Sequence, residues 1–398
     1  MKRNTITIGI VLAFLGLSVL TSCWQEQHHE IIPPELPNYP LIGKIVSSVN
    51  GEPVSGAVVF LDTTVDTTDS TGGFYLDHIQ GGKSYLLSIT KANYESYSRS
   101  VTVGYDTLEV DDIPLGKIYP FVDSYNPGMW RSFSIQGLTW QGSYLWSADS
   151  MAKTIYAHNF DSYLSVAHAY KLPNYPTPKG QFFIAPLGIV FHRNYMVTYD
   201  DRRNTLYEFI LTTGDTAIQQ NEYTLPEEIS SIGDLWDFTF DGTRLWSCCA
   251  GQYDDFHRLP VNNADDVIYR HNGDLTILNT FPIPELEGDI VNPTGITWDE
   301  NWFSHEDRKR FWLNSRGNHR LYLLEWDGNS EDLDVLGYYV YDASIWSEGS
   351  NVTPYQICMG NDYIWGCFRD SWEGINSVGG PTQYIYKWPW MNTKTTHP

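Results

Sequence analysis

The chain has 398 residues, 42% of them hydrophobic and 15% aromatic, enough to build more than one packed domain. Its 48 acids against 25 bases give a formal net charge of −23, which argues against nucleic acid as a partner, because phosphate binding needs clustered Lys and Arg that the sequence lacks. At the N-terminus Lys2 and Arg3 precede an apolar run from Ile6 to Leu20. At about 15 residues that run is too short for a comfortable membrane span, and it reads as a secretory signal covering residues 1–22.

The exit of that segment, Leu20-Thr21-Ser22-Cys23, resembles the bacterial lipobox, in which the cysteine is lipidated and becomes the new N-terminus. The resemblance implies a lipid on Cys23, a membrane as partner through that lipid, and a place in the bacterial cell envelope. Trp24 rather than Asp follows the cysteine, which gives the outer membrane preference over the inner. Removing residues 1–22 takes away Lys2 and Arg3 and no acid, so 23 of the 25 bases remain against 48 acids. Acyl chains, not attraction to anionic lipid, would then hold the protein at a membrane. Residues 23–40 carry Pro33, Pro34, Pro37 and Pro40 among polar residues, the composition of a semi-extended tether. His28, His29 and Glu30 lie in that tether and lack the fixed geometry of a metal site.

Residues 41–117 alternate over short stretches punctuated by Asn50-Gly51, Gly72-Gly73 and Pro53, the pattern of a small antiparallel β-sandwich. Gly43-Lys44-Ile45-Val46, Gly56-Ala57-Val58-Val59, Thr71-Gly72-Gly73-Phe74 and Lys91-Ala92-Asn93-Tyr94 resemble the carboxypeptidase regulatory-like, transthyretin-like domain. That resemblance implies a noncatalytic spacer or adhesive module. Asn93 stands where the family usually has glycine, and asparagine tolerates the left-handed turn. Asp62-Thr63-Thr64, Asp106-Thr107-Leu108 and Asp215-Thr216-Ala217 resemble O-glycosylation acceptors of Bacteroidota.

From residue 118 to 398 one phrase recurs, starting at Gly137, Gly188, Asp237, Gly295 and Gln356, with spacings of 51, 49, 58 and 61 residues. That period suits a four-stranded sheet stacked radially, so the expected architecture is a five-bladed β-propeller; six blades would require a degenerate unit before Gly137. Asp241-Gly242 and Gln141-Gly142 mark tight hairpins between the first two strands. Thr154-Ile155-Tyr156, Thr205-Leu206-Tyr207, Val267-Ile268-Tyr269, Arg320-Leu321-Tyr322 and Gln383-Tyr384-Ile385-Tyr386 mark the third strand. A fourth strand is expected at 167–172, 222–225, 275–281 and 335–340. The last unit runs out of chain, so its sheet is expected to borrow a strand from 117–123 or 130–135. Tryptophans 140, 146, 246, 298, 312 and 365 occupy repeat positions and are assigned to packing between blades. The repeat phrase resembles those of lactonase-type and glutaminyl cyclase propellers, and Ser134-Ile135-Gln136-Gly137-Leu138 is similar to a segment of the latter. The lactonase resemblance implies a Glu, Asn and Asp set converging on the channel, and no Glu is assigned to an inner-strand entry. A cyclase needs an inner-strand acid, for which only Asp237 offers itself.

Four cysteines follow Cys23: Cys248, Cys249, Cys358 and Cys367. A turn at Gly360-Asn361 would put Cys358 opposite Tyr363 and leave Cys367 about four residues, roughly 13 Å, along the strand. Buried free thiols are expected, with a vicinal Cys248-Cys249 bridge as the alternative. Long segments at 173–186, 249–265, 282–293, 341–353 and 369–382 would emerge on one face, the usual geometry for recognition. The candidate ligand residues there are Trp236, Asp237, Arg316, Trp346, Arg369, Asp370 and Trp372, with Asp254, Asp255 and His257 farther out. Tryptophan beside Asp and Arg is the combination that sugars and aromatic side chains use. Asp149 and Asp200 sit at equivalent repeat positions and are read as turn caps. No cofactor motif and no metal-ligand set is read; Asp254-Asp255 lacks the spaced acids of a calcium loop. The expectation is a noncatalytic surface lipoprotein that binds a glycan, peptide or envelope protein. A propeller hydrolase or cyclotransferase, or a structural subunit of an envelope complex, is the alternative.

Overall fold

The computed structural model describes residues 37–119, 122–125, 135–162, 164–177, 180–184, 186–200, 203–225, 233–251, 267–283, 293–299, 308–315, 318–341, 353–369 and 383–389. Strands form every regular element among them. The N-terminal unit is a sandwich of two sheets whose inward residues, such as Leu41, Ile45, Val59, Leu87 and Ile89, are wholly buried. Alternation is plain in Val58–Leu61 and Lys83–Thr90, where buried and more open residues take turns as one face meets the core. One departure from the expected antiparallel sandwich is that Asn38–Ser47 pairs in parallel with Leu108–Glu109 and with Ile113–Leu115. The chain therefore crosses from one end of the sandwich to the other before leaving it.

Residues after the sandwich lead straight into the propeller. Lys117–Tyr119 adds in parallel to Asp334–Tyr341, the outer strand of the fourth blade. Asn93 takes the left-handed conformation, φ 66°, and its carbonyl accepts from the Ile118 amide, 2.9 Å. Two residues on, Glu95 accepts hydrogen bonds from Tyr338 Oη (2.7 Å), the Gly116 amide (3.0 Å) and Arg320 Nη2 (3.2 Å). The Arg320 guanidinium lies 4.2 Å over the Tyr338 ring, and Ser48 Oγ donates to the Tyr338 carbonyl, 2.7 Å. A shared strand and a half-buried ion pair thus seat the sandwich on one blade.

Four-stranded sheets then repeat along the chain. The first holds Ile135–Gln141, Tyr144–Asp149, Thr154–Asn159 and Val166–Lys171 in consecutive antiparallel order. The second, third and fourth blades start with Leu187–His192, Gly233–Phe240 and Pro293–Trp298 and repeat that order, the fourth gaining Lys117–Tyr119 at its edge. The fifth has Thr353–Gly360, Tyr363–Arg369 and Gln383–Pro389, completed by Asp123–Tyr125, with Tyr125 opposite Ile385. Each first strand contacts the first strand of the next sheet, and the fifth contacts the first, so the sheets form a closed β-propeller ring. The sheet-closing strand starts at Asp123, the last residue of the expected 117–123, because Lys117–Tyr119 is already committed to the fourth blade.

Aromatic side chains fill the wedges between blades. Trp246 is fully buried, with ring centroids 4.5 Å from Phe311 and 5.5 Å from Phe281 and Trp326, and Trp140 stacks on Trp365 at 6.0 Å. Two hairpins differ from expectation. Phe240 pairs with Leu245 and the Asp241 amide donates to the Arg244 carbonyl, 3.1 Å, so the tight turn is Gly242-Thr243, one residue later than expected. Asp241 Oδ1 accepts from the amides of Thr243 (2.8 Å) and Arg244 (2.7 Å), and Oδ2 from Trp246 Nε1 (3.0 Å), which stabilises the turn. In the fifth blade the turn is Asn361-Asp362, both with positive φ as a tight hairpin requires. Cys358 therefore faces Trp365, and Cys367 pairs with Gln356. Gly360 is needed for packing instead: a Cβ there would lie 2.0 Å from Trp140 Cγ. All four described cysteines are buried, and none is in a disulfide.

Candidate functional site

Every first strand carries an irregularity near its start, between Ile135 and Gly137, Leu187 and Ile189, Leu235 and Asp237, Pro293 and Gly295, and Pro354 and Gln356. A bulge bends a strand and re-aims its side chains, here at one height around the axis. Gly137, Gly188, Asp237, Gly295 and Gln356, the residues that begin the repeat phrase, fall at these bends. Three are glycine because neighbouring strands meet there. A Cβ on Gly188 would sit 2.8 Å from the Phe238 ring, and one on Gly295 would sit 2.8 Å from the Ile357 nitrogen. The remaining two send polar side chains across the narrowed space. Gln356 Nε2 donates to the Trp236 carbonyl, 2.8 Å, joining the fifth blade to the third.

Asp237 is fully buried, and its Oδ2 accepts from the Ile296 amide of the fourth blade, 3.2 Å. Burial pushes this carboxyl well above the usual carboxylate range, while the amides of Phe238, Ile296 and Ile357 pull the other way. Just along the strand, Thr239 Oγ1 accepts from the Trp298 amide (2.9 Å) and Thr297 Oγ1 from the Met359 amide (3.0 Å). Side chains of one blade thus satisfy backbone donors on the unpaired inner edge of the next.

Beyond this closure the axis opens, toward the hairpins joining first and second strands, into a cavity of about 220 Å³. Its walls carry Trp140, Phe191, Phe240 and Trp298, each half-buried, above Thr139, Thr239 and Thr297, with Cys358 on one side. The funnel's lining reaches down to Leu138, Phe238 and Ile357, just past the bends, and takes in no residue before them. These aromatics pack between blades, and the edges they leave uncovered form the walls.

The residues singled out from sequence scatter differently. Trp236 is half-buried against the core shared by the third and fourth blades, so its ring is partly used in packing. Arg369 ends the strand Tyr363–Arg369, opposite Thr353 and Gln383. Arg316, Trp346, Asp370, Trp372, Asp254, Asp255 and His257 lie outside the described residues, as does Cys23. Asp149 Oδ1 accepts from the Met151 and Ala152 amides, 2.8 and 2.7 Å, which is turn capping.

Sequence reasoning passed over two serine–histidine pairs. Ser147 Oγ lies 2.8 Å from His158 Nε2, and Ser247 Oγ lies 2.8 Å from His271 Nε2. The other ring nitrogens lie 3.1 Å from the Leu164 carbonyl and 3.0 Å from the Leu275 carbonyl, leucines held at φ 48° and 67°. Such contacts resemble a nucleophile and its base. Both pairs, however, are wholly buried at equivalent places in the first and third blades, where no substrate reaches them. Their work is structural: each imidazole ties a left-handed leucine turn to the second strand. Burial lowers both imidazoles to about 4, so they are neutral at pH 7. Among the described residues no three His, Cys, Asp or Glu side chains are grouped to hold a metal.

No family model and no curated protein matches the chain. Solved structures similar to it include Myxococcus xanthus glutaminyl cyclase, with a TM-score of 0.43 at 10% identity over 68% of this chain and 97% of that one. The PQQ-bound aldose sugar dehydrogenase of Streptomyces coelicolor gives 0.36 at 13% identity, over 68% and 99%. A Lactobacillus plantarum protein gives 0.34 at 10% identity, over 85% and 97%. Likeness at this level carries no activity over to this chain.

Proposed function

We propose that this protein is a noncatalytic recognition module of the bacterial envelope: a five-bladed propeller, displayed by a sandwich and a lipid on Cys23, that takes a small uncharged group into its axial funnel. The blade number is taken as five because the first strands of five sheets touch in a closed cycle. The observation that carries the reading is the axial cavity, whose lining includes four aromatic side chains and three threonines and no ionised group. Aromatic faces beside hydroxyl and amide groups suit a terminal sugar ring or one apolar side chain of a peptide. At about 220 Å³ the space admits about one such unit, so a larger glycan or a partner protein would present only its tip.

A glycan and peptide array, followed by tryptophan fluorescence titration of the form beginning at Trp24, tests this. Trp298→Ala is expected to weaken binding about tenfold or more, while Trp372→Ala leaves it intact. The reverse outcome would move the site to the long-loop face, and no binding by any sugar, peptide or envelope protein would remove the recognition reading. The anchor is tested separately: Cys23→Ser is expected to release the protein from the membrane fraction, and retention there would refute the lipid.

A further inference from the structure

Two buried oxygens near the axis take no hydrogen bond of ordinary geometry among the described residues: Asp237 Oδ1 and Gln356 Oε1. The other atoms of both groups fix where the side chains run. Gln356 reaches from the fifth blade to the carbonyl of Trp236, the neighbour of Asp237. The Asp237 carboxyl in turn draws on the amide of Ile357, the neighbour of Gln356. They cross one gap, between Gly233–Phe240 and Thr353–Gly360, in opposite directions.

Around that gap stand neutral groups. Cys248 is paired with Asp237 and Cys367 with Gln356 in the strand register, and Cys249 follows Cys248. Burial raises the Cys248 and Cys367 thiols, so neither is a charge partner at pH 7. The influences on Asp237 are burial and three backbone amides, and no cation of the described residues is among them. A buried acceptor left without a donor is costly, and a proton on the Asp237 carboxyl would supply one.

We infer that Asp237 is protonated in the folded protein and that its Oδ1–H donates to Gln356 Oε1, so that a neutral acid–amide pair closes the propeller axis behind the funnel. Ionisation would turn the contact into two opposed acceptors and loosen the closure. The folded chain then keeps a proton that the unfolded chain releases near pH 4. Stability from this group is full below that pH and is lost as pH rises toward its native value.

Asp237→Asn keeps the shape, with Oδ1 on the Ile296 amide and Nδ2 donating to Gln356. Between pH 6.5 and 8 the parent's folding constant, read from urea unfolding, is expected to fall by up to about tenfold per pH unit. In Asp237→Asn it should stay flat over that range. Infrared spectra of the parent at pH 7 should show the carbonyl stretch of a protonated carboxylic acid, shifted in Gln356→Leu and gone in Asp237→Asn. A parent without that band at pH 7 would overturn the inference, and so would a parent as flat as the asparagine variant. If Asp237→Asn fails to fold, the parent's band and its shift in Gln356→Leu still decide.

Discussion

Acidification from pH 6.5 to about 4 is expected to strip the fold of about 3 kcal/mol for each of His158 and His271. An imidazole whose native pKa lies below its unfolded one binds more protons in the unfolded chain across the interval between them. Stability therefore rises with pH over that interval and is flat above it. Asp237 acts in the opposite sense, so the net effect in this range is that of two histidines opposed by one acid. Urea midpoints at pH 7 and 4.5 measure it. His271→Gln, which takes no proton, should be less stable at pH 7 yet show a shallower fall toward acid; an unchanged slope would mean that His271 does not carry the effect.

Removing Glu325 is expected to cost 3–5 kcal/mol, about what breaking a buried ion pair costs elsewhere. Glu325 and Arg310 face each other across two strands of the fourth blade, both buried, with Arg310 Nε 2.7 Å from Glu325 Oε2. Arg308 Nη1 lies 2.9 Å from the other oxygen. Glu325→Ala removes the Glu325 carboxylate from the buried Arg310 guanidinium in the blade that also carries the sandwich. The double change Glu325→Leu with Arg310→Leu should recover most of the loss, because a paired buried charge contributes little beyond an apolar pair of similar volume. A loss below about 1 kcal/mol in Glu325→Ala would contradict this view of the blade.

The strands were legible because alternation and tyrosine at the third strand repeat with the blade; Thr154–Asn159, Thr205–Leu211 and Val267–His271 all begin at the residue where that signal begins. Short strands chosen by a distant partner were not legible. Lys117–Tyr119 and Asp123–Tyr125 are three residues each, and only the geometry of the ring decides which blade takes which. The serine–histidine pairs hid for a related reason: Ser247 and His271 are 24 residues apart and meet through strand register.

The site shows a subtler limit. Loop length drew attention to the segments that hold Arg316, Trp346, Asp370 and Trp372, which lie outside the described residues. The funnel instead lies on the side of the hairpins that join first and second strands, and its walls are residues such as Trp140 and Trp298 that the repeat assigns to packing. They do pack, and only the closure below them turns their exposed edges into a pocket. Asp237 was visible as an inner-strand acid, but its complete burial follows from the bulge and from the glycines around it, which a linear reading does not combine.

Cys358 offers the most direct test, since it is the one described cysteine that lines the funnel, while Cys248 and Cys367 lie behind the closure. Labelling with a small thiol reagent, read by mass spectrometry of peptides, should modify Cys358 before Cys248 or Cys367, and the bound sugar or peptide should slow that reaction alone. Labelling of Cys248 or Cys367 first, or a Cys358 rate indifferent to saturating ligand, would contradict a closed axis with a ligand-binding funnel on one side.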